Sequence, residues 1–289
     1  MDVYQIVTEK IVALLEKGTI PWRKTWAAGS GMPRNLITKK EYRGVNIFLL
    51  SAMPYASPYW LTYRQAESLG GHVKRGEKST PVIFWKMLDA HNHEQEEETK
   101  ATGRIPLLRQ YHLFSVEQCE GIPIPPDPEE VVNPFNPIER AEQIIAGYKN
   151  RPEIHYGGNR AFYSVSEDRV QMPHEHTFNT SPDFYHVLFH ELSHSTGAKH
   201  RLARKEVIER IEFGSEDYSS EEVCADLAAS MLCAVAGISN ETIEQSASYI
   251  DGWLSVLRQD KKAIVVAAAR AQAAADHILG RTFNEEEPA

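Results

Sequence analysis

The spacing of apolar residues changes several times along this chain, and each change marks an expected element. In VYQIVTEKIVALLEKG, Ile6, Val7, Ile11, Val12, Leu14 and Leu15 recur at helical intervals, and the pattern stops near Gly18. That predicts an amphipathic first helix. The turn-rich TIPWRKTW follows, carrying two tryptophans and two cations within a few residues. NIFLLSAM then reads as a second helix, and WLTYRQAESLGG as a third that ends on paired glycines. STPVIFWKML and LLRQYHLFSV, rich in branched and aromatic side chains, read as strands. The polar, acid-loaded DAHNHEQEEETKATGR between them reads as a hairpin loop.

From Gln118 to Glu139 the periodicity disappears, and six of the sixteen prolines fall there. Such a composition favours an extended, semi-rigid connector. Beyond it IERAEQIIAGY is helical, AFYSVSEDRVQMP is a strand pair with a tight turn, and PDFYHVLFHELSHSTG is a helix. SSEEVCADLAASMLCAVAG and the stretch from Glu241 to Leu279 add alanine-rich helices, and no internal repeat is present. The expected class is therefore α+β. A small α+β domain at 1–118 is followed by a Pro-rich linker at 119–138 and a mainly helical domain with a small sheet at 139–289.

Composition adds three constraints. Apolar residues at 42% and charged residues at 25% suit a globular chain of 289 residues with a sizeable core. No apolar run approaches the roughly 20 residues that cross a bilayer, and the first helix is too polar for a signal peptide. No membrane partner is expected. Cys119, Cys224 and Cys233 are odd in number and lack a CxxC pair, which fits a reducing cytoplasm. Charge is unevenly placed: residues 1–88 carry +7 and the remainder −16. The basic part points towards nucleic acid, and the acidic part towards a different task.

The most specific chemistry lies in FHELSHSTGAKH. His190 and His194, four apart on a helix, can hold one metal ion from one face, and Glu191 stands beside them as a general base that takes a proton from water. The third ligand has two candidates. His200 completes the HExxHxxGxxH spacing, with Gly197 at the turn position. That arrangement also needs a methionine turn, whereas Met231 sits in the helical run AASMLCAVA. On the helix EEVCADLAA, Glu222 and Asp226 share a face, so Glu222 can complete a His2Glu site. Asp226 can then fix a ligand histidine's tautomer, while Glu221 reads as part of an exposed, capped helix start. Ligand chemistry favours Glu222, and the expected metal is one Zn2+, with another divalent ion as the alternative.

The runs YRGVN, SPYWLTYRQAESLGGHVKRGEKSTPVIFWK, FHELSHSTG, EEVCADLAASMLCA and YIDGWLSVLRQDKKAI together resemble the ArdC-type antirestriction proteins of conjugative plasmids and phages. Their amino-terminal domain is shared with TraC-type plasmid primases. The resemblance covers nearly the whole chain in order. It implies an amino-terminal domain that binds single-stranded DNA, a carboxy-terminal zincin-like metallopeptidase domain, and protection of incoming DNA from host restriction. It also implies a glutamate ligand on the later helix, which adds to the case for Glu222. A protein substrate or a host restriction component is a further expected partner.

Single-stranded DNA requires cations along its phosphates and flat side chains under its bases. Lys39, Lys40, Arg43, Lys74, Arg75 and Lys78 are the phosphate-contact candidates, and Tyr42 is the aromatic candidate. Two other functions fit the same residues: a non-catalytic DNA-binding protector with a structural metal, or an acidic decoy that mimics DNA.

Overall fold

A computed structural model describes residues 2–22, 32–89, 104–123, 137–209, 216–238 and 247–282. The first half contains helices α1 (Val3–Leu15), α2 (Val45–Ser51) and α3 (Tyr63–Ser68). Its strands are β1 (Arg34–Asn35), β2 (Tyr59–Leu61), β3 (His72–Val73), β4 (Thr80–Asp89), β5 (Arg104–Ser115) and β6 (Cys119–Glu120). The second half contains α4 (Pro137–Gly147), β7 (Glu153–Tyr156), β8 (Phe162–Ser164), β9 (Arg169–Met172), α5 (Ser181–Ser195), α6 (Lys205–Ile208), α7 (Glu216–Ala236), α8 (Ala247–Gln259) and α9 (Ala263–Leu279). The α+β class follows from this order. None of the described helices is long and apolar enough to cross a membrane.

The four-stranded sheet runs β1-β2-β5-β4, and its longest ladder is the antiparallel β4–β5 hairpin, in register from Thr80↔Leu113 to Asp89↔Arg104, with β4 at the edge. A separate sheet, β7-β9-β8, pairs β7 parallel and β8 antiparallel to β9, which leaves β8 at an edge. The hairpin loop and most of the linker expected from sequence lie outside the described residues.

One expected helix is shorter than its pattern. The pattern of WLTYRQAESL predicts a single helix, but Trp60 and Leu61 belong to β2, where they pair with Ser115 and Phe114. Both are buried, so their adjacency reflects a strand covered on both sides rather than a helix face. The helix begins where Thr62 and Gln65 form a reciprocal capping box.

The apolar core does not divide at the expected domain boundary. Val7, Ile11 and Leu15 of α1, Ile47, Phe48 and Leu49 of α2, and Ile83 of β4 join one cluster with residues of α5, α7, α8 and α9. Trp22 and Trp253 meet across the two halves with ring centroids 4.1 Å apart. Polar contacts reinforce the junction. Arg43 pairs with Asp276, and the amide of Gly44 donates to Gln272 Oε1 at 3.0 Å. Asn46 seals the edge of β4, donating to the Ile83 carbonyl at 2.7 Å and accepting from the Ile83 amide at 2.8 Å. Much of YRGVN is thereby explained as structural.

Because Trp22 is fully buried at this junction, Trp22→Ala is expected to cost about 3–5 kcal/mol. Calorimetry should show both halves losing stability in one shared transition. A mutant whose amino-terminal half alone melts early would show that the halves fold independently.

Candidate metal centre

Helix α5 is fixed at its start by Thr180, whose hydroxyl accepts from the Asp183 amide at 3.2 Å, and by Pro182 in the first turn. Its apolar face, Leu188, Phe189 and Leu192, is buried in the main core. That burial sets the rotation of the helix and leaves His190 and His194 facing α7. Ala225, Ala228 and Ala229 on α7 are fully buried, and small side chains allow α5 and α7 to approach closely.

The resulting geometry brings His190, His194 and Glu222 together; among the described residues, this is the group of His, Cys, Asp and Glu that could hold a metal. The two Nε2 atoms are 3.1 Å apart. Glu222 Oε2 lies 3.4 Å from Nε2 of His190, and Glu222 Oε1 lies 3.5 Å from Nε2 of His194. Donors about 2.0–2.1 Å from a tetrahedral ion stand about 3.3–3.4 Å from each other. The triangle therefore has the dimensions and the donor chemistry of a divalent metal site. Glu191 is buried beside it, and burial raises its carboxyl pKa against the lowering effect of the two histidines. The nearby backbone of Tyr163 in β8 also favours the charged carboxylate, to a smaller extent.

His200 takes a different position. Its side chain is 55% exposed and its Nε2 lies 3.3 Å from Asp168. Gly197, the turn glycine of the HExxHxxGxxH reading, has a packing role: a Cβ there would stand 2.4 Å from Cγ2 of Val207 and 3.0 Å from Nη2 of Arg204. It lets α6 lie close against the end of α5.

The partner of His194 was missed in the sequence. Glu221, expected on an exposed helix start, is 6% exposed, and its Oε1 lies 3.1 Å from Nδ1 of His194. A proton on Nδ1 donated to this carboxylate leaves the Nε2 lone pair free to face His190 and Glu222. Glu221 is held in turn by Arg204, itself buried, which donates to Oε2 at 2.9 Å and to Oε1 at 2.6 Å. The same guanidinium donates to Thr196 Oγ1 and to the Ser193 carbonyl. Burial pushes the Glu221 pKa up, but the bonds from His194 and Arg204 outweigh it and hold the group below its ordinary value. Asp226, expected beside a ligand histidine, pairs at 3.5 Å with His186, one turn before His190. Its charge also favours the protonated form of His190. No local motif marks Glu221, because Arg204 reaches it from a loop 17 residues away.

The candidate DNA contacts separate into two sets. Lys40, Arg75 and Lys78 are exposed, and so is Lys39, whose ammonium sits 4.7 Å over the Tyr59 ring. Lys74 is half-buried and donates to the Glu117 carbonyl at 2.9 Å. Arg43 is engaged by Asp276. Tyr42, the expected aromatic contact, is only 6% exposed; it is a core side chain whose hydroxyl accepts from Asn35 and whose ring packs against Phe84. Trp22 and Trp60 are core anchors as well.

The fold and this site define a zincin-like metallopeptidase half joined to an α+β half. Residues 139–270 match the zincin-like metallopeptidase family, and residues 1–114 match the N-terminal domain of the anti-restriction factor ArdC. The Mn(II)-bound crystal structure of antirestriction protein ArdC from plasmid R388 superposes with a TM-score of 0.75 at 34% identity, covering 97% of this chain and 98% of that one. Its metal-free form gives 0.74. The uncharacterized protein y4eC of Sinorhizobium fredii (strain NBRC 101917 / NGR234) is 39% identical over 95% of this chain and 91% of its own length. DNA primase TraC of Escherichia coli is 34% identical over 96% of this chain, which spans only 27% of that primase. The chain belongs to the ArdC antirestriction family.

Two substitutions distinguish the third-ligand candidates. Glu222→Ala is expected to lose metal at concentrations that saturate the unaltered protein, whereas His200→Ala should retain it, as measured by metal analysis after dialysis. Glu221→Gln should weaken metal binding by about 10–100-fold, as the loss of a ligand-orienting carboxylate typically does. Full metal in Glu222→Ala with loss in His200→Ala would reverse the assignment.

Proposed function

We propose that this chain binds single-stranded DNA through its basic first half and protects incoming plasmid or phage DNA from host restriction. We further propose that its second half is a metal-dependent peptidase site, with His190, His194 and Glu222 as ligands and Glu191 as the general base. The observation that carries the second part is the donor triangle with a buried carboxylate beside it. The related ArdC of plasmid R388 is described as Mn(II)-bound, and the zincin-like relationship suggests zinc, so a divalent ion is the expected cofactor. Bound there, such an ion supplies Lewis acidity, polarising a carbonyl and acidifying water.

The protein's own groups would do the rest. Glu191, with a pKa raised by burial, is suited to accept a proton and return it to a leaving group at Oε. Glu221 keeps the His194 tautomer fixed, so the nitrogen facing the triangle carries no proton. Strand β8, at the sheet edge with the Tyr163 backbone near Glu191, presents backbone groups to which an extended peptide can align. A protein of the host restriction machinery is the substrate class that antirestriction would call for.

For DNA, the support is the +7 charge of residues 1–88, the exposure of Lys39, Lys40, Arg75 and Lys78, and the family of the amino-terminal half. Reversing these four residues to glutamate should weaken oligonucleotide binding and flatten its salt dependence, since each lost phosphate contact removes about one released counterion. Arg43 is left intact in that variant because it holds the two halves together. Plasmid establishment in a restricting host tests the whole reading. The charge-reversed protein should fail to protect. Glu191→Gln, which keeps metal and DNA binding, should fail only if hydrolysis is required. Protection by Glu191→Gln at the full level would make the metal site structural, and unchanged DNA affinity after charge reversal would remove the proposed interface.

A further inference from the structure

The burial of Tyr42 removes the aromatic expected under the bases, and the sheet supplies a pair in its place. On the β4–β5 hairpin, Phe84 is directly opposite Arg109, and Val82 is directly opposite Tyr111. Side chains opposite each other in a ladder share a face, and so do residues two apart on one strand. Phe84, Tyr111 and Arg109 therefore stand together on one face of the sheet. The two rings meet edge to face, with centroids 5.4 Å apart at 75°. Both are half-buried, and Arg109 is exposed. The same face carries a packed floor at their inner side: Val82 and Leu113 are buried with Tyr42, Leu50 and Trp60 in one cluster, and the Tyr42 ring is 6.1 Å from that of Phe84.

We propose that Phe84 and Tyr111 form a base-stacking platform for single-stranded DNA, with Arg109 as its phosphate contact. This rests on the DNA-binding reading above and adds where the bases go. Each feature of the patch has a physical role. Rings fixed by a packed floor present a π-face without the entropy cost of ordering them on binding, and stacking is tolerant of base identity. Neighbouring strands about 4.7–4.9 Å apart place the two aromatics within reach of adjacent nucleotides. A guanidinium beside them supplies the charge that a purely apolar protein-docking patch would not require. The segment of the chain that bears Phe84 is also the basic one.

The test uses the full-length protein and a labelled oligothymidylate. Phe84→Leu and Tyr111→Leu keep apolar bulk over the floor but remove the aromatic face. Each should bind about tenfold more weakly, the loss of one base stack, with an unchanged salt slope. Arg109→Gln should instead reduce the slope by about one counterion. On an abasic oligomer of the same length, the two leucine variants should equal the unaltered protein. Ultraviolet crosslinking of an iodouracil-substituted strand should label Tyr111. The exposed Tyr63 on α3 provides the contrast. Crosslinking to Tyr63 with full affinity in both leucine variants would overturn the platform while leaving DNA binding intact. An unaltered protein that does not bind the strand would remove the DNA reading and the platform with it. Thermal melts of the leucine variants guard against misfolding: a variant that melts normally and still binds normally counts against the proposal.

Discussion

The contact between α5 and α7 is the constraint on which the site depends. Two imidazoles from one helix and a carboxylate from another become a donor triangle only if the helices approach closely and at a fixed rotation. Leu188, Phe189 and Leu192 set the rotation of α5, and the alanines of α7 permit the approach. Arg204 and Glu221 then lock the end of α5 to the start of α7 through a buried ion pair. Such a pair is costly to desolvate, and here it is satisfied on nearly every side: Arg204 reaches Glu221, Thr196 and Ser193, and Glu221 also accepts from His194. Breaking one partner would leave the other charge buried, a loss of about 3–5 kcal/mol. The same carboxylate that orients His194 therefore also holds, through Arg204, the loop that follows α5.

That arrangement is embedded in a core that both halves of the chain build. Helices α1 and α2 contribute apolar residues to the cluster that contains α5, α7, α8 and α9, and the Arg43–Asp276 and Gly44–Gln272 contacts close the junction. The first half and the helix that carries His190 and His194 are thus parts of one packed body. Asn46 links the two levels, since its side chain completes the edge of β4 while its helix, α2, enters the shared core. The basic first part of the chain and the acidic remainder are kept in a fixed relation by ordinary packing.

Charge and exposure assign separate tasks to residues that look equivalent as letters. Of the cations in the first half, Lys39, Lys40, Arg75 and Lys78 face water, while Arg43 is spent on Asp276 and Lys74 is partly committed to a carbonyl. Of the two acids that open the EEVCAD segment, Glu222 points at the histidines and Glu221 turns to Arg204. Successive residues on a helix diverge by about 100°, so one faces the site and its neighbour faces the packing behind it.

The sequence by itself determined what local rules control: the helical period of α1, the branched strands β4 and β5, the helix that carries HExxH, and the pairing of His190 with His194 one turn apart. Those features depend on residues within a few positions of each other. It did not determine that Trp60 and Leu61 leave the third helix for a strand, because their burial depends on partners at Ser115 and Phe114. Nor did it show that Tyr42 is buried, bonded to Asn35 and packed against Phe84. Gly197 and His200 are the sharpest case. Their spacing fits a third-histidine site, yet the glycine is needed for Val207 and Arg204 to pack, and the histidine meets Asp168. Spacing limits what a helix face can present. Which neighbour receives it is decided by long-range packing, which brings together residues far apart in the chain and leaves no local pattern to read.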